Sequence, residues 1–181
     1  HNGAGKSTLL KLLASIYEPV RGEMHIDGFV SPMLNIMQGI ESELTGYENI
    51  QIRGTLWGLT KAQIKAHSAD IAELTGLGDY LAMPTRTYSS GMLVRLAFAI
   101  SASIQPDILL IDEIFGAGDA DFMQKAREKM ISLLNRSSIV VMANHSDEII
   151  REFCNKILVL DGGRVKYFGS VAEGLQIYHS K

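Results

Sequence analysis

Cysteine is nearly absent: Cys154 is the only one in 181 residues, so no intramolecular disulfide can form and a reducing cytosol is the expected compartment. Cys154 itself is expected to serve as buried packing and not as a nucleophile. Excess charge is lacking too. Seventeen Lys and Arg against 20 Asp and Glu give a formal net charge of -3, which leaves no basic footprint for nucleic acid and no polybasic stretch for an anionic membrane. Although 46% of the residues are apolar, no apolar run approaches the roughly 20 residues that a bilayer span needs. Work at a membrane would therefore fall to a partner chain. Internal repeats, low-complexity tracts and heptad runs are also missing. What remains is one α/β domain, or most of one, long enough to bury a core.

A further deficit is more informative. His1-Asn2-Gly3-Ala4-Gly5-Lys6-Ser7-Thr8 follows the pattern G-x-x-x-x-G-K-S/T without its opening glycine. In that pattern backbone N–H groups cradle phosphates, the Lys reaches the β- and γ-phosphates, and the hydroxyl binds Mg²⁺. Asn2, Gly3, Ala4, Gly5, Lys6, Ser7 and Thr8 are thus candidate nucleotide-binding residues, with Ser7 also a metal ligand. Such a loop is fed by a β-strand, so the sequence is expected to start partway through a domain.

The apolar spacing of Ser7 to Tyr17 predicts a buried helix opening at this loop, its N-terminal dipole facing phosphate. Gly22 to Gly28 alternates apolar and polar and predicts a short exposed strand with His25 facing solvent. From about 44 the character changes. Thr45-x-x-Glu48 and Thr60-x-x-Gln63 are capping-box patterns, followed by Ile64, Ile71, Leu74 and Leu77, and they predict an inserted helical subdomain over about 44–104. Tyr88-Ser89-Ser90-Gly91 then leads a helix from Met92 to Ile104 with Leu96, Ala99 and Ile100 inward. Strands at Asp107–Ile111 and Ser138–Ala143 flank a helix at Asp121–Leu134, the β-α-β alternation of a mostly parallel sheet. A strand at Lys156–Leu160 turns through Asp161-Gly162-Gly163 into Arg164–Phe168, and Ser170-x-x-Glu173 caps a last helix.

Ligands of α/β proteins bind at the C-terminal ends of parallel strands. Ile108-Leu109-Leu110-Ile111-Asp112-Glu113 delivers paired carboxylates to such an end. Alone it would read as a buried strand with acidic punctuation. About a hundred residues after a phosphate loop, it reads as Asp112 in the Mg²⁺ shell and Glu113 as the catalytic group that polarises the attacking water. His145, just past another strand end, is the second catalytic candidate, toward the γ-phosphate.

Tyr88-Ser89-Ser90-Gly91-Met92-x-x-Arg95 could be a plain Ser N-cap, yet it resembles the signature motif of ATP-binding cassette proteins, commonly Leu-Ser-Gly-Gly-Gln, and stands in the expected place before the Asp-Glu strand. The chain is accordingly similar, over essentially its whole length, to a P-loop NTPase cassette of the ABC type. With Leu44-Thr45-Gly46-x-Glu48-Asn49 and Asp112-Glu113-Ile114-Phe115-Gly116-Ala117-Gly118-Asp119, it resembles the cassettes of polysaccharide exporters. That resemblance implies ATP and Mg²⁺ as ligands. It also implies a head-to-tail homodimer in which Ser89, Ser90 and Gly91 of one copy close over nucleotide held by the other. Asp119 would couple the two ATP sites. An integral membrane permease would be the further partner, placing the chain at the cytoplasmic face of a bacterial inner membrane, and nucleic acid would not be a partner. The exported cargo would be lipid-linked O-antigen, with capsular polysaccharide or teichoic acid as alternatives.

The pattern departs from the family in two places. Ile36 stands where most transporter cassettes have a Gln linking Mg²⁺ to the permease, with Gln38 two residues away. The adenine-stacking aromatic of the family would lie upstream of His1. Two other readings remain open: a regulatory cassette that binds nucleotide without hydrolysis, and a soluble cassette ATPase of DNA repair or translation.

Overall fold

A computed structural model of the chain describes residues 3–112 and 120–180. Helix α1 (Lys6–Leu13) is followed by strand β1 (Val30–Met33), and then by α2 (Gly46–Leu56), α3 (Lys61–Thr75) and α4 (Ser90–Ser101). Strand β2 (Ile108–Asp112), α5 (Ala120–Arg136) and β3 (Ile139–Ala143) come next, and α6 (Asp147–Phe153), the hairpin β4 (Ile157–Asp161) and β5 (Arg164–Gly169), and α7 (Val171–His179) complete the described chain.

Strands β1, β2 and β3 form a parallel sheet in that order, with Val30 opposite Ile108 and Ile108 opposite Ile139. β2 is central and covered on both faces, which is why its sequence is a continuous apolar run and not an alternation. Leu109 and Ile111 face a core made with Met33, Phe98, Phe122, Met130 and Leu133. Leu110 points the other way, to Leu10 of α1 and Ala143. β1 lies at the sheet edge, where Pro32, which has no N–H to give a ladder, is tolerated.

The helical subdomain has its own core of Ile50, Ile71, Leu77, Leu81, Tyr88, Leu96, Ala99 and Ile100. α4 serves both cores, since its Phe98 and the following Ala102 belong to the sheet side. Phe98 meets Phe122 edge to face, with ring centroids 5.8 Å apart. Both expected capping boxes form, Thr45 with Glu48 and Thr60 with Gln63. The Thr45 backbone N–H and hydroxyl, both donating to Glu48, hold its carboxyl below the usual carboxylate range.

The entry of this subdomain is clasped to the segment that leads into α4. Thr85 N–H donates to the Leu44 carbonyl at 2.8 Å and Arg86 N–H to that of Ser42 at 2.9 Å, while the Thr85 hydroxyl donates to the Glu41 carbonyl. Asn49, 1% exposed, finishes the clasp: its Oδ1 accepts from Glu41 N–H at 2.7 Å and its amide donates to the Glu41 and Thr45 carbonyls. The Leu44 to Asn49 motif thus has a structural cause.

Several expectations are corrected. The predicted strand at 22–28 does not form; the strand lies at Val30–Met33, where Phe29 ends the approach and its N–H and carbonyl are tied to Asp107. His25 is exposed as expected. α1 stops at Leu13, four residues before Tyr17, and Ser15 takes a positive φ of 55° that no helix continues through. The strand at 157–161 pairs only with β5, antiparallel, and is not part of the described parallel sheet. At the far end Ser170 caps α7 as expected, but Glu173 turns to the Tyr167 hydroxyl at 2.8 Å instead of closing a box. His179 pairs with Asp147 of α6 at 2.9 Å.

A side chain at Gly46 would have its Cβ 2.6 Å from the Tyr88 hydroxyl and 2.8 Å from Leu81 Cδ2. That hydroxyl is pinned, donating to the Tyr80 carbonyl at 2.6 Å. Gly46→Ala is therefore expected to destabilise the chain by about 1–2 kcal/mol through overpacking, read as a lower urea midpoint with an unchanged slope; a stabilised variant would contradict this packing.

Candidate functional site

The P-loop tail and the acidic strand end converge. Gly3 and Gly5 have φ of 83° and 101°, a left-handed pair that bends the backbone sharply before α1. Gly5 is the N-cap of α1, no side chain caps the helix, and its first turn carries no acidic residue. The first N–H groups and the positive end of the dipole are thus left facing a cleft, an arrangement suited to an anion. The cleft measures about 460 Å³ and is lined by Gly3, Ala4, Gly5, Lys6, Ser7, Thr8, Leu34 and Asp112. Lys6 is half-buried, and Ser7 and Thr8 are exposed.

Across this cleft the Ser7 hydroxyl donates to Asp112 Oδ2 at 2.7 Å, joining residues 105 apart in sequence. Parallel pairing explains how: α1 packs on β2 through Leu10 and Leu110, and both the start of α1 and the end of β2 lie at the same edge of the sheet. A hydroxyl and a carboxylate converging on one point are hard oxygen donors of the kind Mg²⁺ takes alongside phosphate oxygens. Among the described residues no cluster of three His, Cys, Asp or Glu could hold a metal by itself.

The other candidates stand elsewhere or outside what is described. Glu113 and Asp119 lie outside the described residues, as does Asn2. His145 is exposed two residues past β3, which brings it to the same sheet edge as Asp112, paired opposite Ala143. The turn holding it is tight, with Asn144 Oδ1 accepting from Ser146 N–H at 2.7 Å and Ser146 capping α6. It is not among the residues lining the cleft. Ser89, Ser90 and Gly91 open α4 away from the cleft, with Ser89 accepting from Met92 N–H at 3.2 Å as N-cap. Ile36 packs against the sheet core, while Gln38 is exposed and its carbonyl accepts from Arg53 of α2.

Two contributors escaped the sequence reading. Leu34 lines the cleft because it follows the unexpected strand β1. Gly163, seen in the sequence only as a turn residue, donates its N–H to the Ala4 carbonyl at 3.0 Å. No signal in the sequence marks that contact.

Fold and cleft together define a P-loop α/β domain with an inserted helical subdomain. Residues 1–116 match the ABC transporter family. The chain is 46% identical over 165 residues to the O-antigen export system ATP-binding protein RfbE of Yersinia enterocolitica, an alignment covering 91% of this chain and 69% of that protein. It is 40% identical to RfbB of Myxococcus xanthus, named likewise, over 95% of this chain and 39% of that one. It is 39% identical to the teichoic acids export ATP-binding protein TagH of Bacillus anthracis, over 98% and 32%. The chain thus spans about two thirds of the first of these relatives and less than half of the other two. Among solved structures, the ATP-binding subunit of an ABC transporter superposes with a TM-score of 0.81 at 22% identity, covering 98% of this chain and 79% of that one. An ATP-binding cassette solved as a dimer in a post-hydrolysis state with ADP and Pi gives 0.74 at 20% identity, covering 94% and 82%. These two likenesses show the fold. This chain belongs to the ABC transporter family, as an ATP-binding cassette.

Cys154 lies apart, half-buried at the end of α6, and burial pushes its thiol above the usual range. Less thiolate at a given pH means a weaker nucleophile. Iodoacetamide at pH 8 is expected to alkylate it more slowly in the folded chain than in urea, with the folded rate still rising at pH values where the unfolded rate has levelled. Equal rates and equal pH profiles would remove the burial argument.

Proposed function

We propose that this chain is the ATP-binding and ATP-hydrolysing subunit of a bacterial ABC transporter that exports a lipid-linked polysaccharide, O-antigen in the first place, with capsular polysaccharide or teichoic acid as related cargoes. The observation that carries the ATPase part is the Ser7–Asp112 hydrogen bond at the mouth of the P-loop cleft, because phosphoryl transfer asks chiefly for positioning and charge stabilisation. The cargo part is supported by the names of the export-system relatives.

In this reading the backbone of residues 2–8 wraps the phosphates, Lys6 contacts the β- and γ-phosphates, and Ser7 and Asp112 hold Mg²⁺. When bound, that ion neutralises charge on the phosphate oxygens. Glu113 orients and polarises the attacking water, and His145 approaches the γ-phosphate. Ser89, Ser90 and Gly91 of a second copy close the site, and Asp119 links the two sites of the homodimer. The exposed Ser89 and Ser90 and the half-buried Gly91 at the start of α4, away from the copy's own cleft, support a role across an interface for this segment.

The permease is proposed to dock where the loop after β1 meets α2. Arg53 ties α2 to the Gln38 carbonyl and its guanidinium lies beside Gly39. This places exposed Met37 near a helix whose Ile52 and Leu56 are exposed as well. An apolar rim of this kind fits a protein partner. No helix among the described residues is long and apolar enough to cross a membrane. The chain would thus sit peripherally at the cytoplasmic face, held by that partner.

Glu113→Gln keeps size and hydrogen-bonding reach but loses charge, and it is expected to lower hydrolysis at least about 100-fold while ATP binding survives and an ATP-bound dimer accumulates. Phosphate release and size-exclusion chromatography with Mg-ATP read the two halves. Parent-like hydrolysis would move the water-activating role elsewhere; a parent that binds but never hydrolyses would favour a regulatory cassette. Lys6→Ala is expected to abolish most turnover and weaken ATP binding, and retention of full turnover at saturating ATP would reject the loop assignment.

A further inference from the structure

We propose that Gly163, at the tip of the β4–β5 hairpin, is a positioning residue for nucleotide binding, because its N–H holds the Ala4–Gly5 peptide in the orientation that turns the Gly5 N–H toward the phosphate cleft. The inference rests on reading residues 3–8 as the phosphate-binding loop.

A trans peptide is planar, with its carbonyl and its N–H pointing in opposite directions. The Ala4 carbonyl accepts from Gly163 N–H at 3.0 Å, so the Gly5 N–H of the same peptide points away from the hairpin. The cleft lined by Lys6, Ser7 and Asp112 lies along that loop. Gly5 itself supplies no resistance to rotation. Its φ is 101°, and glycine populates negative φ about as readily, so the 4–5 peptide could flip at little intrinsic cost and present a carbonyl where phosphate needs a donor. Ala4, buried, anchors one side of the peptide. The hairpin anchors the other.

The hairpin is built to reach that carbonyl. Asp161 and Arg164 pair across a two-residue loop, and Gly162 and Gly163 take φ of 53° and 76°, the primed turn that two-residue hairpins favour and that needs positive φ at both central residues. The approach is also close: a Cβ placed at Gly5 would lie 3.4 Å from Gly163 Cα and 3.8 Å from its N. A turn more than 150 residues downstream therefore sets the polarity of one group in the loop. No side chain takes part, so the contact leaves no signature in residue type beyond the two glycines.

The test is a fluorescent-nucleotide titration with Mg²⁺ in the full chain, with thermal unfolding run on each variant. Gly163→Asn retains both the N–H and a tolerance for the left-handed region and is expected to bind within about twofold of the parent. Gly163→Val keeps an N–H but resists the left-handed region, so the turn shifts and carries that N–H out of line with the Ala4 carbonyl; it is expected to raise Kd about fivefold, the weight of one net hydrogen bond. A folded Gly163→Val with parental affinity, whatever its melting temperature, overturns the proposal, since a merely structural turn would lower stability alone. If that variant does not fold, hydrogen exchange on the parent decides. A Gly163 amide protected at an exposed hairpin tip, and slowed further by Mg-ATP, supports the anchor; exchange at the rate of an unstructured glycine overturns it. Lys6→Ala measured alongside separates the levels. Lost binding there with parental binding in Gly163→Val defeats this inference alone, whereas parental binding in Lys6→Ala defeats the loop reading beneath it.

Discussion

The two-sided burial of β2 is the constraint on which the rest of the molecule depends. A strand covered on both faces has its register fixed by two cores at once, because a slip of one residue would exchange Leu109 and Ile111 with Leu110. That register decides where the apolar run ends and therefore where Asp112 emerges. Because α1 is packed on the same strand through Leu10, the start of α1 is fixed in the same frame, and a 2.7 Å hydrogen bond can join Ser7 to Asp112. The site is a consequence of packing before it is a consequence of chemistry.

α4 extends that frame to the helical subdomain. A helix with one apolar stripe could belong to only one core. α4 is apolar almost all round, giving Phe98 to the sheet side and Leu96, Ala99 and Ile100 to the helical side. The proposed signature residues Ser89 to Gly91 sit at its start, so their placement is set by both cores. Ser89 also serves as an ordinary helix cap. The cap and the proposed nucleotide contact are compatible, since capping engages the Met92 N–H and leaves the residues at the helix start exposed.

Periodicity and capping chemistry were legible because they act locally. Thr45, Thr60 and Ser170 each capped the helix that the sequence placed after them, and the apolar run of β2 ended in Asp112 as read. The strand at 22–28 misled because alternation between glycines measures only a local preference. What made a strand of Val30–Met33 was a partner, β2, and a Pro within the run argued against it unless its edge position was known. The Gly163–Ala4 contact was invisible for a different reason: backbone donating to backbone across a fold depends on geometry and on no side chain. Of the candidate site, motif spacing led to the loop, Ser7 and Asp112, which the structure brings to one cleft, whereas Leu34 depended on the strand that was missed.

The clasp at residues 41–45 and 84–86 gives the helical subdomain an unusual mechanical character. The segment that enters the subdomain is joined by backbone hydrogen bonds to the segment leading into α4 and is braced onto α2 by the buried amide of Asn49, while the return to the sheet runs through α4 itself into β2. With the entry stitched to the root of α4, α2 and α3 form a loop of chain closed at its base. The path from exposed Leu56 on α2 back to the first turn of α4 therefore runs through the stitched seam as well as through the shared helical core.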